Sequence, residues 1–282
     1  MPPMRVLSIQ LHTTAGDVAA NYERAFGLLE LGAALYRPDV IMLPEAFAAY
    51  AAAADLRPYA EDVPGPTSER FCAYSRRYDA LILFGLVRRG PTGNGLLNSA
   101  VAVDRGEVVG VYDKTHLVMG DRPAELDERA IFVAGDRLGV IDTRFGRIGV
   151  LICHDGVYPE VWRALALEGA RAIFWLINDG DMSAWGKAHA FWNLTPVFAC
   201  NRVTRGPNGA RKGGGSFIAD VHGTALDIAG TSEAFVFAEV DLEEQGAYRA
   251  SGRDLWANFF RVRRPDLYGA LTLPADPPLA DA

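Results

Sequence analysis

The position of one cysteine, Cys153, suggests a reactive thiol. Residues 148–152 form a short apolar run with β-branched side chains, which predicts a buried strand that ends at the cysteine. Pro159 and Glu160 then favour the start of a helix, because proline suits the first turn and glutamate suits the positive end of the helix dipole. A thiolate at such a junction can be stabilised by the helix N-terminus and can face a cleft. The location therefore favours a nucleophile over a structural cysteine, which would more naturally lie within the strand.

A cysteine nucleophile needs a base or a neighbouring cation, together with donors for the oxyanion that forms on the substrate. His154 is adjacent, but neighbouring residues of an extended segment point to opposite faces. Its backbone N–H is therefore a better oxyanion donor than its ring is a base. Glu45 and Lys114 are stronger partners, because each is a charged residue just after an apolar strand. If those strands share an edge with Cys153, the three groups converge into a set that can carry out acyl transfer. Taken singly, a charged residue at a strand end is more often a solvated surface group.

The elements that must position these residues alternate along the chain. Helical spacing of apolar residues predicts helices at residues 17–36, 68–78, 185–193 and from residue 159 onward. Mixed sheets with helices outside them are the expected arrangement, and no break in composition divides the chain, so we expect one domain over residues 1–282. Apolar and β-branched runs predict strands at residues 5–11, 40–43, 81–87, 99–103, 108–112, 138–142, 147–152, 172–177, 196–201, 216–220, 225–228 and 234–240.

Three segments, in this order and at these separations, carry a family resemblance. "LPEAF", "YDKTHL" and "GVLICHDGVYPE" resemble the three signature segments of the nitrilase (carbon–nitrogen hydrolase) superfamily, and the resemblance extends over about residues 5–240. It implies that Glu45, Lys114 and Cys153 form a catalytic triad. Three separate catalytic segments in order are far more specific than a single motif.

The resemblance implies further features of the site and the assembly. A second, assisting glutamate falls on Glu128, because Phe132 and Gly135 follow it at the family's spacing. The implied fold is α/β, a four-layer αββα sandwich of two mixed β-sheets flanked by helices. The implied assembly is a homodimer or a higher homo-oligomer. In that assembly the Pro-rich C-terminal extension, residues 243–282, lies at a subunit interface.

The mechanism implied by the resemblance is amide hydrolysis through a thioester. Glu45 takes the thiol proton, Cys153 attacks the substrate carbonyl carbon, and the Lys114 ammonium and a backbone N–H hold the oxyanion. Water, activated by one of the two glutamates, then releases the acid. The residues predicted to bind substrate or the oxyanion are His154, Trp175, Asn178 and Trp192. For the tryptophans, packing in the core is the more common role.

The residues after the cysteine discriminate between branches of the superfamily. True nitrilases usually have Trp-Glu there, whereas this chain has His154-Asp155, which argues against a nitrile. N-carbamoyl amino-acid hydrolases tend to have arginines that clamp a carboxylate, and Gly156 and Val157 stand in their place. We therefore expect a small or neutral carboxamide substrate. The alternatives are an N-carbamoyl amine or amino-acid hydrolase, a nitrilase, or a non-catalytic binding module on the same scaffold. A Cys–His hydrolase using His116 or His189 is a weaker rival.

Composition narrows the functional classes. The 282-residue chain has 28 Lys and Arg against 35 Asp and Glu, and its net charge of −7 argues against nonspecific nucleic-acid binding. Three cysteines do not make a disulfide framework, which indicates a reducing compartment. No stretch has the length and apolarity of a membrane helix. We expect a cytoplasmic enzyme without a membrane partner, and the five dispersed histidines favour no metal and no cofactor.

Overall fold

The fold is built from two six-stranded β-sheets. The computed structural model describes residues 2–49, 56–90, 95–120, 127–205, 211–251 and 259–273. Its helices and strands, in chain order, are β1 (Met4–Gln10), α1 (Val18–Tyr36), β2 (Val40–Met42), α2 (Pro66–Tyr78), β3 (Leu81–Arg89), β4 (Leu96–Asp104), β5 (Glu107–Asp113), β6 (Val140–Thr143), β7 (Gly146–Ile152), α3 (Pro159–Leu167), β8 (Ile173–Leu176), α4 (Ser183–Asn193), β9 (Val197–Cys200), β10 (Val203–Arg205), β11 (Arg211–Gly213), β12 (Phe217–Ala219), β13 (Ala225–Ile228), β14 (Ala234–Val240) and α5 (Leu242–Ser251).

The two sheets have the same design, with three parallel strands flanked by antiparallel ones. The first has the order β14-β1-β2-β3-β4-β5, in which β1, β2 and β3 are parallel. Its β5 is antiparallel to β4, which is antiparallel to β3, so β5 runs in the same direction as β2. The second has the order β13-β12-β9-β8-β7-β6, with β7, β8 and β9 parallel. The carboxyl ends of β2 and β5 therefore lie at one edge of the first sheet.

Side-chain alternation along the strands explains the four layers. In the first sheet, Met42 and Leu83 face the second sheet and share one buried cluster with Val150, Leu176 and Phe198. The alternate residues of the first sheet pack against α1 and α2, with members that include Leu29, Phe71, Ile41 and Phe84. Helices α3 and α4 cover the second sheet through Trp162, Leu165 and Ala190. The predicted αββα sandwich of two mixed sheets is confirmed.

Local sequence signals account for the well-predicted elements. The Asp17 side chain caps α1 by accepting a hydrogen bond from the Ala20 N–H at 3.1 Å. The turn between β4 and β5 places Arg105 and Gly106 at φ values of 49° and 91°, the left-handed pair that a tight hairpin requires. Helix α2 begins two residues before the predicted start at Ser68. Its Ser68 hydroxyl instead accepts a hydrogen bond from the Gly65 N–H at 2.8 Å, as a residue of the first turn.

Other parts of the chain depart from the sequence prediction or stay untested. The hairpin of β10 and β11 was not predicted, because a glycine-rich segment without alternation gives no strand signal. The single domain over residues 1–282 and the placement of residues 243–282 at a subunit interface stay predictions, and residues 252–258 and 274–282 lie outside the described part. Within the described residues, no helix is both long and apolar enough to span a membrane.

Gly85 of β3 allows the loop after β2 to lie directly on the sheet. The Gly85 N–H donates to the Pro44 carbonyl oxygen at 3.2 Å. A Cβ added at Gly85 would stand 2.1 Å from the Ala46 nitrogen and 2.6 Å from the Glu45 Cα, both backbone atoms that cannot rotate away. The position of Glu45 thus depends on the absence of a side chain at Gly85.

We expect Gly85→Ala to destabilise the protein by about 1–3 kcal/mol, because the new methyl group must push the Glu45 loop off the strand. Gly27→Ala is the matched control. Gly27 lies in α1 with nothing within 4 Å of an added Cβ, so alanine there should raise stability by about 0.5–1 kcal/mol. Urea unfolding followed by circular dichroism measures both. Equal effects of the two substitutions would contradict the proposed close contact.

Candidate active site

Three strand ends bring the predicted triad together in the interior. Glu45 follows β2, Lys114 immediately follows β5, and Cys153 immediately follows β7 in the second sheet. Glu45 and Lys114 are each 1% exposed and Cys153 is 6% exposed. Glu128, in a short 3-10 turn at Glu128–Ala130, is fully buried beside them. Four chemically active side chains from separate segments therefore share one buried site.

The Lys114 ammonium is the centre of this site. Its Nζ lies 3.1 Å from Glu45 Oε1 and 2.9 Å from both carboxylate oxygens of Glu128. Asn98 donates its side-chain N–H to the same Glu45 oxygen at 2.7 Å, and the Val118 N–H donates to Glu128 at 2.8 Å. Buried charges are tolerated only when they are paired and hydrogen-bonded, and here each carboxylate has both kinds of partner.

Cys153 is held in a strained backbone turn. Its φ of 42° is in the left-handed region, and it opens a 3-10 segment, Cys153–Val157. Such a conformation costs about 1–3 kcal/mol for a residue with a side chain and persists only where its surroundings enforce it. Two indole N–H groups do so here, since Trp175 donates to the Cys153 carbonyl and Trp162 donates to the Gly156 carbonyl, both at 2.9 Å.

The electrostatics of the site favour a protonated thiol. Burial and the nearby Glu45 charge raise the pKa of Cys153 well above its usual value, while Lys114 and a backbone hydrogen bond from Asn178 oppose them. Burial also raises the pKa of Glu45, with Lys114 opposing it and Glu128 adding to it. Burial lowers the pKa of Lys114, but the charges of Glu45, Cys153 and Glu128 outweigh it, so the net shift is upward.

Two of the predicted substrate-binding residues lie beside the thiol. His154 is half-buried, and burial together with the Lys114 charge lowers its pKa. Its Nε2 lies 3.4 Å from the Tyr158 hydroxyl. Asn178 follows β8, and its backbone lies close enough to the Cys153 sulfur to lower the pKa of the thiol.

The two predicted tryptophans take other places. Trp175 has no exposed surface, and its ring packs under Gly156, so it supports the cysteine turn from the core side. Trp192 is half-exposed and stacks on Phe259, with the two ring centroids 5.6 Å apart. It lines a surface pocket between α3, α4 and residues 259–273, whose lining does not include the triad. A tryptophan in the sequence can thus pack in the core or line a surface pocket, and its residue type alone does not indicate a substrate pocket.

The rival histidines are occupied elsewhere. His189 stacks on Trp162 at 4.7 Å, and burial lowers its pKa to about 4. His116 Nδ1 lies 3.1 Å from an Asp155 carboxylate oxygen. Across the described ranges, no group of three or more His, Cys, Asp or Glu side chains is arranged to hold a metal ion.

Sequence reasoning missed two buried polar residues of the site. Asn98 positions Glu45, and Asp155 accepts hydrogen bonds from Tyr112 of the first sheet and Ile152 of the second. Each carries a recognisable signal, since a polar side chain inside a run as apolar as "LLNSAVAV" or at the end of "GVLICHD" must find a partner when buried. The sequence could not show which partner.

Comparison with known proteins gives consistent results. A family model described as "Carbon-nitrogen hydrolase" matches residues 5–250. An (R)-stereoselective amidase from Pseudomonas sp is 30% identical over 279 residues, with 95% of this chain and 94% of the relative covered. An N-carbamoylputrescine amidase from Arabidopsis thaliana is 34% identical over 196 residues, which cover 62% of this chain and 63% of the relative.

A solved structure agrees in fold. The crystal structure of a carbon–nitrogen hydrolase from Helicobacter pylori G27 superposes with a TM-score of 0.82 at 26% identity, and covers 95% of this chain and 98% of that one. Sequence and fold thus agree over nearly the whole length. The chain belongs to the carbon–nitrogen hydrolase family of the nitrilase superfamily, and is an enzyme that hydrolyses carbon–nitrogen bonds other than peptide bonds.

Proposed function

We propose that the protein is an amidase that hydrolyses a small, neutral carboxamide to a carboxylate and ammonia through a thioester on Cys153. The observation that carries the proposal is the buried Lys114 ammonium, within hydrogen-bond distance of Glu45 and Glu128 and close enough to Cys153 to affect its pKa. A thiol, a base and a cation in one water-poor site are the requirements for nucleophilic attack on an amide.

The first half-reaction forms the thioester. Because the thiol is protonated at neutral pH, Glu45 must accept its proton as Cys153 attacks the carbonyl carbon. Among the described residues, both donors to Glu45 act on Oε1, which leaves Oε2 for this transfer. The Lys114 ammonium and the His154 backbone N–H stabilise the oxyanion. Glu45 then gives its proton to the leaving nitrogen, the carbon–nitrogen bond breaks, and ammonia departs.

The second half-reaction hydrolyses the thioester. Glu45 is deprotonated again and can take a proton from an attacking water, with Glu128 as the assisting carboxylate. Both Glu128 oxygens lie near the Lys114 ammonium, and one also accepts from the Val118 N–H, so its main effect is to hold Lys114 and to shape the charge around Glu45. Collapse of the tetrahedral intermediate expels the Cys153 thiolate, which is reprotonated, and releases the carboxylate.

The choice of an amide rests on the residues after the cysteine and on the relatives' names. His154-Asp155-Gly156 argues against a nitrile, and the (R)-stereoselective amidase is similar over nearly the whole chain. The similarity to an N-carbamoylputrescine amidase supports a second candidate, hydrolysis of an N-carbamoyl amine, which uses the same attack on a carbonyl carbon.

Ammonia release from a panel of carboxamides, N-carbamoyl amines and nitriles tests the proposal. We expect the purified protein to act on carboxamides and Cys153→Ala to lose at least about 10³-fold in rate, because no other nucleophile replaces the thiol. Cys72→Ala is the matched control, since Cys72 is a partly buried cysteine of α2, and it should keep full activity.

Mass spectrometry of the quenched reaction should show the acyl group on the peptide that contains Cys153. Acylation of Cys72 or Cys200 instead would overturn the assignment of the nucleophile. Equal inactivity of the wild type and Cys153→Ala on every compound would overturn the hydrolase mechanism, and activity on N-carbamoyl amines alone would favour the second candidate.

The pH dependence of kcat/KM tests the role of Glu45 as a base. Glu45 must be deprotonated to accept the thiol proton, and its pKa is raised, so activity should fall on acidification with a midpoint above the ordinary glutamate value of 4.5. The Glu128 charge is one cause of that rise. Glu128→Gln should therefore move the midpoint to lower pH, whereas the surface control Glu243→Gln should leave it in place. An upward shift in Glu128→Gln would contradict the assignment.

A further inference from the structure

Asp155 is a fully buried carboxylate that the proposed reaction does not use. Its Oδ1 accepts hydrogen bonds from the His116 N–H at 2.9 Å and the Thr115 hydroxyl at 3.1 Å, and lies 3.1 Å from His116 Nδ1. Its Oδ2 accepts from the Tyr112 hydroxyl at 2.8 Å and the Ile152 N–H at 2.9 Å. Every lone pair of the carboxylate thus faces a donor or a polar ring atom.

The partners of Asp155 belong to both sheets. Tyr112 lies in β5 of the first sheet, and Thr115 and His116 lie in the bend that directly follows Lys114, so these three flank Lys114 along the chain. Ile152 is the last residue of β7 and immediately precedes Cys153 in the second sheet. One side chain therefore fastens the segment that carries the ammonium to the turn that carries the thiol.

We propose that Asp155 is a positioning residue that sets the separation between the Lys114 ammonium and the Cys153 thiol. It acts through these two residues and touches no reacting atom. The expected effect on turnover rests on the proposed function. The effect on the Lys114–Cys153 separation does not, because the reactivity of the Cys153 thiol can be measured without any substrate.

The chemistry of the partners requires a carboxylate at this position. Burial and the Asp155 charge raise the pKa of Tyr112, so the phenol stays protonated and can only serve the carboxylate as a donor. A carboxamide in its place offers one acceptor oxygen and an NH₂ group. Whichever way the amide turns, its NH₂ meets either the Ile152 N–H and the Tyr112 hydroxyl or the His116 N–H. Asp155→Asn is thus nearly equal in volume but wrong in polarity, and it should separate the two segments.

The pKa of the Cys153 thiol depends on its separation from the Lys114 ammonium. The groups that face it are the Lys114 ammonium, which lowers its pKa, the Glu45 and Asp179 carboxylates, which raise it, and the Asn178 backbone. His154 is adjacent in sequence, and its own pKa is lowered by burial. If Lys114 moves away while the carboxylates stay, the pKa of the thiol rises. Alkylation, in which the thiolate displaces iodide from iodoacetamide, then requires higher pH.

The experiment measures alkylation of Cys153 by iodoacetamide from pH 6 to 10, with the modified peptide quantified by mass spectrometry, in the full-length protein. We expect Asp155→Asn to remain folded by circular dichroism, to shift the alkylation profile to higher pH, and to lower kcat by about 10–100-fold with a smaller change in KM. Tyr112→Phe removes one donor and keeps the carboxylate, so it should shift the profile in the same direction by less.

Asp39→Asn is the matched control. Asp39 also accepts a backbone N–H, from Arg5 at 2.8 Å, but it precedes β2 and so lies at the opposite end of that strand from Glu45. We expect its alkylation profile and kcat to equal those of the wild type. A purely structural role for Asp155 would lower the thermal stability of Asp155→Asn and leave its alkylation profile unchanged.

A folded Asp155→Asn with the wild-type profile and kcat would overturn the inference. If Asp155→Asn does not fold, Tyr112→Phe and Thr115→Val decide, because each removes one donor and keeps the carboxylate. Wild-type profiles in both would overturn it. A failure of the proposed function would give a different result. A wild type that is inert on every amide, with a shifted alkylation profile in Asp155→Asn, would leave the positioning role standing and reject the amidase mechanism.

Discussion

The burial of one ammonium between two carboxylates governs the rest of this site. Removing three charged groups from water is costly, and Lys114, Glu45 and Glu128 are tolerated only because each neutralises or hydrogen-bonds another. Burial and the nearby Glu45 charge both disfavour a thiolate beside them, which is why the pKa of Cys153 is raised. In the proposed mechanism Cys153 therefore stays a thiol until a substrate can accept the electrons and Glu45 can accept the proton.

The backbone around the triad is shaped to keep these charges in contact. The loop that carries Glu45 lies against Gly85, and the segment after Glu128 docks on the end of β5 through a hydrogen bond from the Gly135 N–H to the Lys114 carbonyl at 2.8 Å. A Cβ on Gly135 would stand 2.2 Å from the Asp113 carbonyl oxygen. The spacing of Glu128, Phe132 and Gly135 that the resemblance singled out thus has a physical cause. The glycine permits the close approach that lets the glutamate reach the lysine.

Features that depend on neighbouring residues were predictable from the sequence, whereas contacts between residues far apart in the chain were not. The strand ends at Glu45, Lys114 and Cys153 were predictable, because apolar runs and turn residues are local signals. The partners of Asn98 and Asp155 were not, since Asn98 meets a residue 53 positions away and Asp155 meets residues about 40 positions away in the other sheet. Trp175 and Trp192 show the same limit, because nothing local distinguishes an indole that supports a turn from one that lines a pocket. The residue that ends a strand can be read locally, but the group that it meets is set by the packing of the two sheets.

The distribution of charge also bears on the substrate. Besides burial, the Glu45 and Asp179 charges raise the pKa of the thiol, and the Lys114 ammonium, which also binds Glu128, lowers it. The Lys114 ammonium is already held by both glutamates, so it has little capacity to bind a third carboxylate from the substrate. In the proposed mechanism its role is to meet the oxyanion that forms during the reaction. This charge distribution therefore supports the proposed neutral amide over a substrate that has a carboxylate near its amide. In the proposed mechanism the carbonyl oxygen of a neutral amide becomes negative only in the transition state, and Lys114 stabilises the charge at that point and not before.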